Sequence, residues 1–438
     1  MEDWAQRELG AAELGDARLS RRLVRLLQRL GEQPGASIPA ACCGAGETKA
    51  AYRLLSHEAV GWRDILGPHR LRSRQRMAGH GVVLCLQDTT ELDFKGQQIE
   101  GLGRLSYEAQ RGMYLHATYA VSVQREPLGV LEAWMWAREP KAAQAGALLE
   151  STRWVEGYER LSELAAELPD TRLVCVGDRE SDMLALMIKA RECEHAVDYL
   201  VRCQHNRVLG SKTRLWDEVA AQEPLGCIGF EMPAGRGRPA RTVRQELRVQ
   251  RVRLPDRQGG YIEASCLIAS EIDPPAGATP VVWRLLTNRT VPMLDAAIEL
   301  VDWYRARWEI ELLFLTLKEG CRVEALQLGS IDRIERALAL YLVVAWRIGA
   351  LMRQGRTHPD CSAETVLTRD EWQGAWILAQ KPPPAQVPTL RTALHMIARL
   401  GGFLGRKSDG EPGVKSLWIG LQRVTSWAQG MRFLRRYG

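Results

Sequence analysis

Four polar side chains between residues 304 and 318 stand at spacings that a helix would gather. Arg307, Glu311 and Lys318 follow Tyr304 by three, seven and fourteen residues. At roughly 100° per residue the four fall within about 60° of one another on a helix surface. One narrow stripe therefore carries an aromatic hydroxyl, a guanidinium, a carboxylate and an ammonium. The flanking Trp308, Leu312, Leu313, Phe314, Leu315 and Leu317 are mostly apolar, which predicts a largely packed helix. An acid set among cations suits chemistry on an anionic substrate. The carboxylate can ligate a metal ion, and the cations can hold phosphate oxygens.

Two aspartates elsewhere could join that glutamate. Asp88 ends the apolar run GVVLCLQ and Asp178 ends RLVCVG, and an acid closing a strand sits at the sheet edge where open α/β folds build sites. Each also reads as a turn residue or helix N-cap, a role that Asp178 ahead of RESDMLALM suits well. Taken with Glu311, and with no His or Cys ligand nearby in sequence, the acids suit hard cations such as Mg²⁺ or Mn²⁺. Two such ions clamp the attacking and leaving oxygens of an in-line phosphoryl displacement. Glu91, Asp93, Glu180, Asp182 and Glu309 compete on charge alone, and spacing does not choose among them.

The elements that must position these residues follow from periodicity. Residues 1 to about 70 read as helices, with Asp16 as an N-cap before ARLSRRLVRLLQRL. Leu19, Leu23, Leu26, Leu27 and Leu30 form its apolar stripe. Arg18, Arg21, Arg22, Arg25 and Arg29 cover the rest, a face nearly free of acids and suited to phosphates. A second helical segment, ETKAAYRLLSH, adds Lys49, Tyr52 and Arg53. Strands follow from about residue 71: GVVLCLQ, HATYAVSVQ and PLGVLEAWMWA. Then come a long helix over about 143–167, RLVCVG, a helix over about 180–192, and DYLVRCQ. That order predicts a mixed sheet with helices packed on it. Alternating segments over 205–290 predict an antiparallel β insertion, and the chain after about 293 returns to helices.

Composition limits the function classes. The chain has 438 residues, 46% of them hydrophobic, and a net charge of +6. That is enough for two or three full cores, and the modest positive excess permits nucleic-acid binding without requiring it. Ten scattered cysteines without a C-x-x-C argue against a zinc site or a disulfide framework. Glu2 and Asp3 follow the initiator Met, and no run of eighteen apolar residues occurs, so the expectation is a cytoplasmic chain that does not engage membranes.

The run Tyr304-x2-Arg307-x3-Glu311-x6-Lys318 resembles the Tyr-Arg-Glu-Lys signature of bacterial DDE transposases of the insertion-sequence-four family. The resemblance extends over nearly the whole chain. LGDARLSRRL and AYRLL look like the family's N-terminal DNA-binding region, QDTTELDF its first aspartate block and GDRESDM its second. SAETVLTRDEWQ and IARLGGFL resemble its C-terminal part. The likeness implies an α/β fold: a ribonuclease H-like catalytic core over 71–365 with the β insertion at about 205–290. A helical DNA-binding domain over 1–70 and a helical dimerisation domain over 366–438 would flank it. It further implies Asp88, Asp178 and Glu311 as a catalytic triad holding two Mg²⁺, with Mn²⁺ substituting. Double-stranded DNA, as inverted-repeat ends and target, would be the substrate of a homodimer working by cut and paste through a hairpin.

Trp283, in TPVVWRLLT, matches the tryptophan on which the family stacks a flipped base, and Arg202 matches a DNA-contacting arginine. Phe314 and Leu315 depart from the pattern, standing where a close relative carries basic side chains, so this turn offers DNA less charge. An inactive DNA-binding derivative and a metal-dependent nuclease without strand transfer are the alternative readings.

Overall fold

The structure, a computed structural model, describes residues 4–107, 109–138, 151–195, 197–232, 239–256, 259–407 and 409–437. The chain forms two compact units, each drawn from separate stretches of sequence. The first takes residues 1–77, 89–147 and 309–438, and the second 78–88 and 148–308.

The first unit begins with five helices: α1 (Trp4–Leu9), α2 (Ala17–Glu32), α3 (Ile38–Ala41), α4 (Ala45–Leu55) and α5 (Trp62–Met77). Asp16 caps α2 by accepting from the Arg18 N–H at 2.8 Å, and the five expected leucines are buried. Strand β1 (Val82–Asp93) supplies its last five residues to this unit, beside β2 (Gly103–Arg104), β3 (Arg111–Ser122) and β4 (Pro127–Trp136). At Gly112 a Cβ would lie 1.9 Å from the Leu92 carbonyl oxygen, so only glycine lets β3 approach β1 this closely.

Later helices of the same unit complete its core. Helix α11 (Ile331–Thr357) is buried without interruption from Ala337 to Trp346, as expected of a helix apolar all round. Against it lie α5 and β4, and the Trp346 Nε1–H donates to the Pro127 carbonyl at 3.1 Å. Beneath them His69 is fully buried: Nδ1 meets Glu8 at 2.5 Å and Nε2 accepts from the Val130 N–H at 2.9 Å. The chain ends in α12 (Arg369–Leu378), α13 (Leu390–Leu400) and α14 (Val414–Tyr437), which pack on one another.

The second unit is a mixed sheet. The beginning of β1 pairs in parallel with β5 (Arg172–Gly177), from Val82 opposite Arg172 to Leu86 opposite Val176. Strand β6 (Asp198–Arg202) continues the parallel part. Parallel strands are buried on both faces, which is why VVLCL and LVCV read as unbroken apolar runs. Helices α6 (Thr152–Ala166) and α7 (Leu184–Glu192) pack together, and α6 also packs on β5. The part of the long helix expected before residue 151 lies outside the described residues.

Beyond β6 the sheet turns antiparallel. A short helix, α8 (Leu215–Ala220), precedes β7 (Gly226–Met232), β8 (Arg241–Pro255), β9 (Tyr261–Glu271) and β10 (Val282–Thr287). The strand order from β6 is β10, β9, β8, β7, so the insertion enters the sheet through its last strand. Helix α9 (Leu294–Ala306) follows. All ten cysteines are free: six are buried, Cys193 is half-buried, and Cys43, Cys227 and Cys361 are exposed.

Candidate active site

The apolar run ends at Asp88 but the strand does not, because β1 continues through the β-branched Thr89 and Thr90 to Asp93. What also ends is the β5 ladder, whose last register pair involves Leu86. Asp88 therefore sits on rigid extended backbone just past the parallel pairing. Its carboxylate, largely buried, receives the Arg307 guanidinium at 2.7 Å. Asp178 directly follows β5 as expected, and it also fills the capping role. Its side chain accepts from the Glu180 N–H at 2.8 Å at the start of a three-residue 3₁₀ turn.

Around Arg307 the second unit collects most of the remaining candidates. Tyr304, near the end of α9, is buried, and burial pushes its phenol above the usual range against the pull of Arg307 and Arg202. Arg202 also hydrogen-bonds the tyrosine, while the Asp178 charge acts on the same ring. Trp283 lies 6.5 Å from Tyr304, ring centre to ring centre, with planes tilted by 59°. It is half-buried and therefore not the core residue that a tryptophan in VVWRLL would ordinarily be. Two members of this cluster carried no signal in the sequence. Phe230 stacks on Trp283 at 5.4 Å and 13°, and the Arg305 guanidinium lies 4.6 Å from the Phe230 ring centre.

The stripe that opened the sequence reading is less regular than one helix. Helix α9 stops at Ala306, Arg307 is its C-cap, and α10 runs from Trp308 to Leu315. The chain then makes a π turn over Thr316–Gly320, closed by the Cys321 N–H on the Thr316 carbonyl at 2.8 Å. This wider turn takes Lys318 out of the 100° progression that placed it beside Glu311. The predicted packing also fails at two positions, since Trp308 is 61% and Leu315 41% exposed. Glu311 and Lys318 are half-buried residues of the first unit.

Structural partners account for most of the competing acids. Glu309 is buried and pairs with Arg353, whose Nε donates to it at 2.9 Å. Asp182 is buried against Arg207 at 2.6 Å and accepts from the Gln204 and His205 N–H groups at 2.6 and 2.8 Å. Glu91 accepts from the Ser106 N–H, and Asp93 from the Lys95 N–H. Glu180 is exposed.

Oxygen donors such as Asp88, Asp178 and Glu311 are of the type a hard divalent cation takes. Among the described residues, however, no three acidic, histidine or cysteine side chains are gathered to hold a metal ion. The positive charge meeting Asp88 is a guanidinium.

The N-terminal cations form a separate feature of the first unit. Arg18, Arg21, Arg22, Arg25 and Arg29 line a cavity of about 470 Å³ with Leu26, Cys42, Gly46, Glu47, Ala50 and Ala51. Its charge is less uniform than the sequence implied. Arg29 turns inward to Glu47 on α4, with contacts of 2.9 and 3.1 Å. Lys49 and Arg53 are exposed on α4, and Tyr52 is half-buried. No helix among the described residues is long and apolar enough to cross a membrane.

Comparisons with known proteins bear on these features. Residues 1–60 match the transposase DNA-binding family, 155–347 the transposase DDE domain and 343–438 the transposase Tn5 dimerisation domain. Asp88 lies outside the matched DDE range, whereas Asp178 and Glu311 lie within it. A transposase DDE domain implies dependence on a divalent metal. Among solved structures, the chain is similar to piggyBac transposase in its synaptic complex with hairpin DNA, at 9% identity and a TM-score of 0.36. That match covers 85% of this chain and 60% of the other, and so distant a likeness carries no argument. In chain order, then, this protein carries matches to a transposase DNA-binding domain, a transposase DDE domain and a transposase Tn5 dimerisation domain.

Proposed function

We propose that the chain is a cut-and-paste transposase of the insertion-sequence-four kind, with a ribonuclease H-like core over 71–365 into which the β insertion is set. The observation that carries this reading is the ordered succession of three transposase domains along one chain. In this reading a helical domain over 1–70 binds the inverted-repeat ends of double-stranded DNA. A domain over 366–438 joins two copies, and each copy cleaves the end held by its partner.

Asp88, Asp178 and Glu311 would hold two Mg²⁺ ions, with Mn²⁺ substituting. When bound, the ions supply charge stabilisation to the attacking and leaving oxygens of in-line displacement. Everything else falls to the protein's own side chains. Arg307 holds Asp88 in the DNA-free chain and is poised to exchange that carboxylate for a backbone phosphate, a fork-shaped partner of similar geometry. Lys318 adds charge to the phosphate path. Tyr304, kept un-ionised by burial, donates its hydroxyl. Arg202 orients that hydroxyl and faces the same strand. Hairpin formation requires a sharply bent strand, and Trp283 offers an indole face to the base extruded at the bend. Such stacking offsets about 1–3 kcal/mol of the unstacking cost.

The test uses end-bearing duplex DNA with Mg²⁺. Wild-type protein should nick, form hairpins and join precut ends to supercoiled plasmid. Asp88→Asn, Asp178→Asn and Glu311→Gln should each abolish cleavage while leaving end binding within about twofold. Normal cutting by any of the three removes that residue from the triad. Cleavage without joined product makes the protein a nuclease, and binding without cleavage makes it an inactive end-binder.

A further inference from the structure

Phe230 and Trp283 should not meet in a flat sheet. They stand on β7 and β10, which are separated by β8 and β9 in the strand order. Three inter-strand steps amount to about 14 Å. Their rings nevertheless stack at 5.4 Å with planes 13° apart, so the insertion coils enough to bring these two side chains together. The contact is fixed from both sides of the fold. Phe230 is held opposite Val243 on β8, and Trp283 opposite Ala269 on β9. Arg305 of α9 lies over the Phe230 ring at 4.6 Å, one residue from Tyr304, which tilts towards the indole. A cation, a phenyl ring and an indole therefore stack in series within one unit.

We propose that Phe230 is a positioning residue for base extrusion. Stacked on one face of the Trp283 indole, it fixes the plane of that ring and leaves the opposite face as the docking surface for an extruded purine or pyrimidine. This rests on the reading of Trp283 given above and adds to it a residue whose work is done through another. A lone half-exposed tryptophan samples several rotamers, and holding one of them is an entropic cost that each base-stacking event must meet. The Phe230 contact meets that cost in the DNA-free protein, so the indole is oriented before DNA arrives. The stack also sets a specificity. With one face occupied, the platform accepts a single base and cannot intercalate between two.

The experiment uses the full-length protein and a duplex carrying the transposon end found beside its own gene, with 2-aminopurine placed in turn at each terminal position. Fluorescence is read in Ca²⁺, and nicking and hairpin yields in Mg²⁺. Phe230→Ala should lower hairpin yield about two- to tenfold, the size of effect an aromatic pair supports, and weaken the 2-aminopurine signal, with nicking preserved. Phe230→Tyr, which keeps the ring, should restore both. Should Phe230→Ala lose nicking as well, Phe230→Leu decides, because it keeps apolar volume without a ring. A hairpin defect in the leucine variant and none in the tyrosine variant supports the proposal. Hairpin yields in the ring-less variants equal to or above wild type overturn it, the higher yield meaning that Phe230 obstructs the platform. Trp283→Ala separates this from the underlying reading. If it leaves the fluorescence signal and hairpin yield intact, base stacking on Trp283 itself is wrong.

Discussion

Asp178 and Asp182 are four residues apart, and the structure employs them in opposite ways. Asp178 is half-buried and caps one short turn through a single N–H. Asp182 is buried, pairs with Arg207 and receives two backbone N–H groups that hold the chain leaving β6. Asp178→Asn keeps an acceptor for the cap, so it should melt within about a degree of wild type while losing cleavage. Asp182→Ala strands a buried guanidinium and two amides, a change that costs about 3–5 kcal/mol, and its thermal transition should fall by several degrees. Equal melting of the two variants would erase the distinction. On charge alone the two acids are interchangeable, because both follow β5 within a few residues, and it is the family resemblance that singles out Asp178. Burial and partners separate them, and those arise from β6, which is remote in sequence. Glu309 shares a helix with Glu311 but stands on another face, and there it belongs to Arg353.

At the scale of elements, the arginines of α2 divide into two groups. Its leucines seat the helix in the core, and Arg29 fastens it to α4 through Glu47. Arg18, Arg22 and Arg25 line the cavity beside that pairing and have the chemistry for phosphate contacts. Replacing all three with alanine should make the plot of log affinity for end DNA against log salt shallower by about 2–3 units, with thermal stability unchanged. Arg29→Ala should instead lower stability. A slope unaltered by the triple substitution would move DNA binding elsewhere. Periodicity made α2 and its cap legible, since a 3.6-residue apolar repeat and an N-cap are local signals. The π turn after α10 was not, because a helix that takes up one extra residue leaves no mark in composition. The full length of β1 is hidden for a related reason: Thr89 and Thr90 continue a strand whose partner, β3, lies farther along the chain.

The whole molecule divides into two units, each with its own core, and each is assembled from stretches that are not contiguous in the chain. Such cores should unfold as separable cooperative steps. Calorimetry is expected to resolve two transitions, one lowered selectively by Asp182→Ala and the other by Arg353→Ala. A single transition moved by both would make the chain one cooperative body. The strand and helix order is legible in the sequence, because alternating and continuous apolar runs are written locally. How α9 and the coiled insertion bring Phe230, Trp283, Tyr304 and Arg305 together is not, since that convergence depends on sheet curvature. One further consequence lies in the thiols. Burial pushes all six interior cysteines up, which makes them poor nucleophiles, whereas Cys43, Cys227 and Cys361 face solvent. Cys43 donates its N–H to Glu47 at the arginine-lined cavity, and Cys227 lies on β7 three residues before Phe230. The unaltered protein thus carries its own attachment points for maleimide dyes: Cys43 at the arginine-lined cavity, Cys227 on the face of β7 opposite Phe230, and Cys361 beyond α11 as an internal reference.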